Sequence, residues 1–363
     1  MSAQMARALS AILMVALVAL PLACGSSTTP TSPTPPPTTV PSGMDVEPLR
    51  AAASGAGKLV GAAVPSNLLG DSRYSGVLSR HFNYLTAEYE MKWGAIEATR
   101  GQNDFGAGDA IVAYGQAMGM QIKGHALIWH NSVPGWVPSL SAVDLRVAFE
   151  NHIRSVAEHF RGRVRAWDVV NEAIADNGAG LRDTVFRQKL GDQYIADAFR
   201  LARQADPQAL LFYNDYGGEG LNQKSDRIYD LVRSLQAQAV PIDGVGLQMH
   251  VTAANRPSDG SIAANMSRLA NLGLLVNISE MDVRIRDLPG TVPARLDEQK
   301  AVYHSIVGLC VSEPRCDGVT FWGFTDAHSW IDAQFGADDP LLFDDQYAAK
   351  PAYYGVLDAL WRR

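Results

Sequence analysis

Two glutamates, Glu172 and Glu280, stand 280 − 172 = 108 residues apart, and each follows a short apolar run. The run before Glu172 contains Val169 and Val170 and then gives Asn171, which predicts a buried strand that delivers polar side chains at its C-terminal end. In parallel αβ proteins that end carries the chemistry, although the same residues could merely cap a loop. A pair of carboxyls meeting there indicates a general acid and a nucleophile for cleaving a glycosidic bond. A carboxyl separation of about 5–5.5 Å would mean retention, and one of about 6.5–9.5 Å inversion.

The elements that must position this pair form a repeating pattern of strand-length apolar runs, polar loops and amphipathic stretches. The runs cover 59–64, 81–86, 121–125, 164–170, 209–213, 244–249, 274–279 and 318–322. Helical periodicity predicts helices over 144–160, 194–205, 223–237, 297–309 and 351–361. Eight such units over about 320 residues predict an α/β fold, a single (β/α)8 TIM barrel. A doubly wound open sheet is the alternative, but it usually has a glycine-rich phosphate turn after its first strand, and this sequence does not.

Polar and aromatic residues concentrate at or just after the C-terminal ends of the predicted strands. Random surface polarity would spread over both ends of a barrel and over its helices, so this clustering indicates a site. The residues are Glu88, Lys92, His125, Trp129, Asn171, Glu172, Asn214, Gln248, His250, Glu280, Asp282 and Trp322.

The N-terminal segment predicts export. Arg7 precedes an apolar stretch over 8–20, and a small residue, Ala23, stands before the expected cut, so 1–23 is predicted to be a signal peptide. Ala23-Cys24 also resembles a lipoprotein cleavage site, which makes a membrane tether through lipidated Cys24 the alternative to plain secretion. We expect a protein that is secreted, or lipid-anchored at the bacterial cell surface or in the periplasm. Residues 24–44 are rich in Pro, Thr and Ser and predict an extended spacer before one catalytic domain over 45–363.

Composition and cysteine usage narrow the function classes. The chain of 363 residues has a formal net charge of −7 and a pI near 5.6, which argues against nucleic acid as a partner. Cys310 and Cys316 flank a short turn, and a disulfide between them fits an exported protein better than a metal site, which needs more ligands. We expect no metal, no cofactor and a monomer.

Five motifs in order resemble family 10 of the glycoside hydrolases, the endo-β-1,4-xylanases, over essentially residues 50–363. They are Phe82-Asn83-x-x-Thr86-x-Glu88-x-x-Met91-Lys92-Trp93, Gly124-His125-x-Leu127-x-Trp129-His130, Trp167-Asp168-Val169-Val170-Asn171-Glu172, Ile278-Ser279-Glu280-Met281-Asp282, and Trp322-Gly323-Phe324-x-Asp326-x-x-Ser329-Trp330. The resemblance implies that the substrate is xylan or its oligosaccharides.

The same resemblance implies a role for each site residue. Glu172 is the expected acid/base and Glu280 the nucleophile of a retaining reaction, with Asn171 on the sugar 2-hydroxyl. His250 is expected to hydrogen-bond Glu280, and Asp282 to orient its imidazole, so that the nucleophile stays ionised. The other expected substrate-binding residues are Glu88, Lys92, His125 and Gln248 for hydroxyl groups, Trp129, Trp322 and Trp330 for sugar faces, and Tyr216 on the leaving-group side.

Two residues depart from the family pattern. Tyr89 stands where the family usually has Asn, and Ser132 stands where it usually has Gln. Both changes fall next to the subsite that lies one sugar unit from the cleavage-site sugar on the non-reducing side. We therefore expect this subsite to differ in its tolerance of decorated xylose or of glucose. A β-1,4-glucanase or mannanase of related barrel type is the alternative activity. A non-catalytic polysaccharide-binding barrel would be expected to lose a carboxylate, and a barrel metallohydrolase to show a His-x-His pair, which none of the eight histidines forms.

Overall fold

Eight parallel strands close into a barrel in the computed structural model, which describes residues 42–361. Hydrogen-bonded pairs run without a break around the ring: β1 (Leu59–Val64) meets β9 (Cys316–Phe321), and β6 (Gly244–Leu247) meets β8 (Leu275–Arg284). This confirms the predicted (β/α)8 barrel. β7 is a short addition that pairs only with the far end of β8. The strands are β1 (Leu59–Val64), β2 (Tyr84–Ala87), β3 (Gln121–Trp129), β4 (Ala166–Asn171), β5 (Leu210–Asp215), β6 (Gly244–Leu247), β7 (His250–Thr252), β8 (Leu275–Arg284) and β9 (Cys316–Phe321).

Helices surround the barrel, most of them between successive strands. They are α1 (Leu49–Gly55), α2 (Ser72–His81), α3 (Trp93–Ile96), α4 (Gly106–Ala117), α5 (Ala142–His159), α6 (Val185–Leu190), α7 (Tyr194–Ala205), α8 (Gln223–Ala237), α9 (Asp259–Ala270), α10 (Val292–Ser312), α11 (Trp330–Phe335) and α12 (Pro351–Trp361). The bounds predicted for α7, α8 and α12 are confirmed.

Several predicted boundaries differ from the structure by a few residues, and two of these differences have a clear local cause. α10 begins at Val292 and not at residue 297, because the Thr291 side chain caps its N-terminus and Pro293 is tolerated in the first turn of a helix. The second apolar run begins its strand only at Tyr84, since His81 is the last residue of α2. In both cases a local cap or helix end overrode the hydrophobic pattern.

The layer between the barrel strands and the helices is filled by side chains, and Trp167 packs there against Phe160 at the end of α5. Trp167 on β4 is fully buried, and its ring occupies the space beside Gly124 on β3. A Cβ at Gly124 would lie 2.1 Å from Trp167 Cζ3, so only glycine fits there. Adding even a methyl group to such a packed layer costs about 1–3 kcal/mol. The strands are therefore held in one register, which fixes where their C-terminal residues emerge.

The ends of the domain are tied to the barrel. The backbone N–H of Gly43 donates to Tyr347 O at 2.8 Å, so contacts begin within the segment predicted as spacer. Cys310 at the end of α10 and Cys316 at the start of β9 form a disulfide. Within residues 42–361, no helix combines the length and apolarity that crossing a bilayer would require. The predicted signal peptide, Cys24 and nearly all of the predicted spacer lie outside the described residues.

Candidate active site

The strand register brings the predicted residues together at the C-terminal mouth of the barrel. Trp129 on β3 is level with Asn171 on β4, and Asn171 is level with Asn214 on β5. The Asn214 side-chain amide donates to Asn171 Oδ1 at 2.9 Å and to Glu280 Oε1 at 2.6 Å. One amide thus bridges the strand that carries Glu172 and the strand that carries Glu280.

Asn214 fits this position because its neighbours leave it space and fix its orientation. A Cβ at Gly246 would lie 2.1 Å from Asn214 Oδ1, so glycine on β6 makes room for the amide. The Ser279 hydroxyl donates to Asn214 Oδ1 at 2.6 Å, which aims the NH₂ group at the two acceptors. Sequence reasoning counted Asn214 among the polar strand ends but gave it no role, since nothing in the sequence shows that it bridges two carboxyl-bearing strands.

Glu172 is held by donors on both carboxyl oxygens. Trp129 Nε1 donates to Oε2 at 2.8 Å, and Gln248 Nε2 donates to Oε1 at 3.0 Å. Asn171 Nδ2 lies 3.3 Å from the same Oε1. The Glu172 backbone adopts a φ of +57°, a conformation that L-residues other than glycine rarely take and that clusters at functional sites. Arg182 Nε donates to the Glu172 carbonyl oxygen at 3.0 Å and supports that conformation.

Glu280 is buried and surrounded by donors and positive charge. His250 Nε2 lies 3.2 Å from Glu280 Oε2, and His125 Nδ1 lies 4.0 Å from Oε1. Burial by itself would raise the pKa of Glu280, but the electrostatic influence of His125, the His250 hydrogen bond and the charge on Lys92 outweigh it and lower that pKa to about 2. Glu280 is therefore an ionised carboxylate throughout the range in which enzymes usually work.

His250 is charged because two carboxylates face it. Asp282 Oδ2 lies 2.7 Å from Nδ1 and also accepts from Trp330 Nε1 at 2.9 Å. Burial acts to lower the pKa of His250, but Asp282 and Glu280 together raise it to about 10. Both ring nitrogens of the imidazolium then donate, one to each carboxylate.

His125 belongs to a second buried network of polar contacts, with Asp168 and Lys123. Neither of those two partners was assigned a role from the sequence. Asp168 Oδ2 lies 2.9 Å from His125 Nδ1, and Asp168 Oδ1 lies 2.9 Å from Lys123 Nζ. Lys123 and His125 alternate on β3, so both point into the barrel, where Asp168 of β4 meets them. This network fixes the imidazole that faces Glu280.

The carboxyls open into a cleft of about 610 Å³. Lys92 is one of its lining residues, and its Nζ lies 4.6 Å from the Trp129 ring centroid and 5.5 Å from that of Trp322. Among residues 42–361, no group of three or more His, Cys, Asp or Glu side chains is arranged to hold a metal ion. The predicted residues that line the cleft are Lys92, His125, Trp129, Asn171, Glu172, Tyr216, Gln248, His250, Glu280, Trp322 and Trp330, and the other lining residues are Asn131, Arg284, Ile331, Gln334 and Phe335.

Comparison with known proteins decides the family. The sequence model of glycosyl hydrolase family 10 matches residues 48–359. The chain belongs to that family. It is 39% identical over 291 residues, 79% of this chain and 83% of the relative, to endo-1,4-beta-xylanase B of Thermotoga neapolitana. It is 40% identical over 306 residues, 83% of this chain and 90% of the relative, to an endo-1,4-beta-xylanase of Agaricus bisporus.

Two solved structures agree with this family assignment. Xylanase 10B of Thermotoga petrophila RKU-1, crystallised with xylobiose, superposes with a TM-score of 0.84 at 38% identity, covering 87% of this chain and 97% of that one. Native xylanase 10B of Thermotoga maritima gives a TM-score of 0.83 at 39% identity, covering 86% and 98%.

Glu88 of this family 10 hydrolase lies beside the cleft and not among its lining residues. Burial raises the pKa of Glu88 to about 6, with Lys92 acting to lower it and the carboxylates of Glu90 and Glu280 to raise it. It therefore changes charge close to neutral pH, next to the position where Lys92 enters the cleft.

The two residues that depart from the family pattern lie outside the cleft lining. Tyr89 is 55% exposed, and its ring centroid is 5.9 Å from Lys92 Nζ. The Ser132 hydroxyl is buried without a hydrogen-bond partner among the described residues, and it would lie 3.3 Å from a Cβ at Gly94. Its neighbour Asn131 faces the cleft instead.

Tyr216 borders the cleft of the family 10 hydrolase on the β5 side. Its hydroxyl donates to Asp176 and lies 3.3 Å from Arg182 Nη2, and Lys224 Nζ lies 3.7 Å from its ring centroid. Arg182 also pairs with Asp176 at 2.6 Å. The Tyr216 ring is thus held rigidly by the same arginine that supports the backbone of Glu172.

Proposed function

We propose that the protein is an endo-β-1,4-xylanase that hydrolyses internal xylosidic bonds of xylan with retention of configuration. Glu280 forms the covalent glycosyl-enzyme, and Glu172 is the general acid/base. The observation that carries this assignment is the contrast between the two carboxyls. Glu280 is kept ionised by His250, His125 and Lys92, as a nucleophile requires, whereas Glu172 is bordered by the uncharged donors Trp129 and Gln248. The family and the names of the relatives support xylan as the substrate.

The proposed reaction has two steps. In the first, a Glu280 oxygen bonds to the anomeric carbon while Glu172 gives its proton to the leaving glycosidic oxygen, whose bond to that carbon breaks. In the second, Glu172 takes a proton from water as the water oxygen bonds to the anomeric carbon and releases Glu280. Two inversions give net retention, and both carboxyls return to their starting states.

Asn171 is placed to assist this reaction. Its Oδ1 accepts from Asn214 at 2.9 Å and from Gln248 at 3.3 Å, which leaves Nδ2 as the group that faces outward beside Glu172. An amide N–H there donates to the sugar 2-hydroxyl, a bond that strengthens as the oxocarbenium-like state forms. Sugar faces are expected to pack on Trp129, Trp322 and Trp330, with Tyr216 on the leaving-group side.

Chemical rescue tests the assignment of the two carboxyls. Glu280→Gln and Glu172→Gln should each reduce the rate of xylan hydrolysis by several orders of magnitude. With an activated aryl xylobioside, azide should rescue Glu172→Ala to give a glycosyl azide of retained configuration, because the covalent intermediate still forms. Azide should rescue Glu280→Gly to give the inverted azide, since it then attacks directly. NMR of the products distinguishes them, and full activity in either Gln variant would refute the roles.

The alternative activities are separated by product analysis on pure polysaccharides. A β-1,4-glucanase or mannanase would release oligosaccharides from cellulose-type glucan or mannan faster than from xylan. A non-catalytic polysaccharide-binding barrel would release none, and the presence of both buried glutamates argues against it. Release of short xylo-oligosaccharides from the interior of the chain supports the proposed function.

We also propose that Tyr89 sets tolerance at the subsite next to the cleaved sugar. Its ring is exposed beside Lys92, where an aromatic face replaces the amide that the family usually has. Kinetics of Tyr89→Asn on xylan, arabinoxylan and an aryl cellobioside test this. Equal changes on all three substrates would show that Tyr89 does not discriminate between them. Ser132 is a weaker candidate, because its hydroxyl packs towards Gly94 and away from the cleft.

Export remains a proposal that rests on the sequence of residues 1–24. Mass spectrometry of the mature protein tests it: a free N-terminus after removal of the signal indicates secretion, and a lipid mass on Cys24 indicates an anchor. An intact Met1 in material recovered from the producing cells would contradict both.

A further inference from the structure

Arg284 places a positive charge at the rim of the cleft. It is the last residue of β8 and follows Glu280 and Asp282 in alternate positions, so the three side chains share one face of the strand. It lines the same cleft as the two carboxyls. At about 3.3 Å per residue, its backbone lies about 13 Å along the strand from that of Glu280. The guanidinium is therefore too far out to act on the reacting bond and is placed to meet another part of the substrate.

The guanidinium of Arg284 has no hydrogen-bond acceptor and no carboxylate partner among residues 42–361, and its Nε is buried from water. The neighbouring arginines differ. Arg182 pairs with Asp176, and Arg286 donates to Phe335 O and lies 3.6 Å from Asp287. A buried N–H left without a partner is unfavourable, so a ligand that supplies an acceptor there would be stabilised.

An aromatic surface adjoins this charge. Arg284 Cζ lies 4.2 Å from the ring centroid of Phe335, which is 41% exposed at the end of α11. The Phe335 and Trp330 rings are 5.6 Å apart and both line the cleft. A guanidinium fork matches a carboxylate in shape and charge, and an aromatic face matches the apolar face of a pyranose. Together they fit a sugar ring that carries a carboxylate.

We propose that Arg284, with Phe335 beside it, binds the carboxylate of a uronic acid branch on the polysaccharide. The inference rests on the proposed function, because it assigns a decoration of the same polymer to the same cleft. Stacking on Phe335 holds the guanidinium plane in place before the substrate arrives, so little side-chain entropy is lost on binding.

The competing explanation is that Arg284 only stabilises the position of α11 through its contact with Phe335. The two explanations differ in substrate dependence. Loss of a structural support affects every substrate, whereas loss of a carboxylate-binding site affects only acidic substrates. Three substrates with the same backbone separate them: a linear xylo-oligosaccharide, the same oligosaccharide with a uronic acid branch, and the branched form after chemical reduction of its carboxyl to a hydroxymethyl.

For the natural protein, kcat/KM on the acidic oligosaccharide should exceed that on its reduced form, and the excess should shrink as salt is raised. In Arg284→Gln, the ratio of the two values should fall about tenfold, the factor that corresponds to about 1.4 kcal/mol. Arg284→Lys keeps the positive charge but lacks the planar guanidinium, so its ratio should lie between those of the natural protein and Arg284→Gln. Arg286→Gln is the matched control, because Arg286 contacts the same helix from outside the cleft lining, and its ratio should not change.

If Arg284→Gln lowers kcat/KM equally on the acidic oligosaccharide and on its reduced form, the ratio is unchanged. That result would overturn the proposal and show that Arg284 only supports α11. A ratio insensitive to salt in the natural protein would also overturn it, even if Arg284→Gln fails to fold. Failure of the proposed function looks different, since the natural protein would then leave the linear xylo-oligosaccharide intact.

Discussion

His250 Nε2 lies 3.2 Å from Glu280 Oε2, and this contact stabilises the charge on both partners. The pKa of His250 is raised to about 10 by Asp282 and Glu280, against burial, which lowers it. The pKa of Glu280 is lowered to about 2, against burial, which raises it. Between these values both groups are charged, so the proposed nucleophile is ionised without help from solvent.

Replacing His250 should move the acid limb of the pH profile. In His250→Gln the positive charge is lost, so the protonated form of Glu280 becomes less unfavourable and its pKa rises. The acid limb of kcat/KM should then shift to higher pH by about one pH unit or more. Steady-state kinetics from pH 2 to pH 9 measure this, because the range must include the acid limb of the natural protein. His159→Gln is the control, because His159 pairs with Asp109 on the outer helices; a profile that moves equally in both variants would contradict the charge argument.

Glu88 should make substrate affinity depend on pH near neutrality. Burial raises its pKa to about 6, so the carboxyl is largely ionised at pH 7 and largely protonated at pH 5. If the ionised form accepts from substrate hydroxyls, KM should rise as the pH falls through 6. Glu88→Gln should flatten KM between pH 5 and pH 7 with little change in the pH dependence of kcat. A KM that keeps its pH dependence in the variant would assign it to another group.

Sequence patterns predicted the barrel because a strand-length apolar run, a polar loop and an amphipathic stretch repeat eight times, and polar or aromatic residues follow most of the runs. They located Glu172 and Glu280 for the same reason, since strand ends in a barrel meet at one mouth. They gave no role to Asn214, Asp168 or Arg284. A bridging amide, a buried charge chain and an unpaired guanidinium are defined by neighbours from other strands, and sequence spacing carries no information about those neighbours.

The backbone at Glu172 illustrates the same limit. The φ of +57° at Glu172 could not be predicted from the sequence, because among common residues mainly glycine and asparagine adopt that conformation. It is maintained by Arg182, ten residues later, and by the Glu172 N–H, which donates to Asn214 O at 2.8 Å. The proposed proton donor could be identified from the sequence, whereas the contacts that hold it in place could not.

Arg182 should therefore act as a positioning residue for the proposed general acid. In Arg182→Met the support at the Glu172 carbonyl is lost, so proton delivery should suffer while Glu280 remains intact. We expect kcat/KM to fall at least about tenfold with a poor leaving group such as a sugar, and much less with a dinitrophenyl leaving group, which needs no proton. Arg200→Met on α7 is the control. Equal losses with both leaving groups would indicate a structural role only.

A buried ion pair between Lys350 and Asp326 fixes the segment that carries Trp330. Lys350 Nζ lies 2.6 Å from Asp326 Oδ2 and 2.7 Å from Asp339 O, while Asp326 Oδ1 accepts from Leu341 N at 2.8 Å. Asp326→Leu alone leaves a buried ammonium without its partner and should cost about 3–5 kcal/mol in the free energy of unfolding. Asp326→Leu with Lys350→Met removes both charges and should recover most of that loss. Denaturant unfolding of the single and double variants measures the difference.

The pH dependence of this pair has a defined sign. Burial raises the pKa of Asp326 in the folded protein to about 7, although the Lys350 charge acts to lower it. The unfolded chain, with an ordinary aspartate, releases this proton near pH 4, so the folded state binds more protons between about pH 4 and pH 7. The contribution of Asp326 to the free energy of unfolding is therefore fully present at low pH and is lost as the pH rises through 7. Relative to the double variant, the natural protein should lose stability from pH 5 to pH 8; a difference that grows with pH would show that the carboxylate is ionised in the fold across this range.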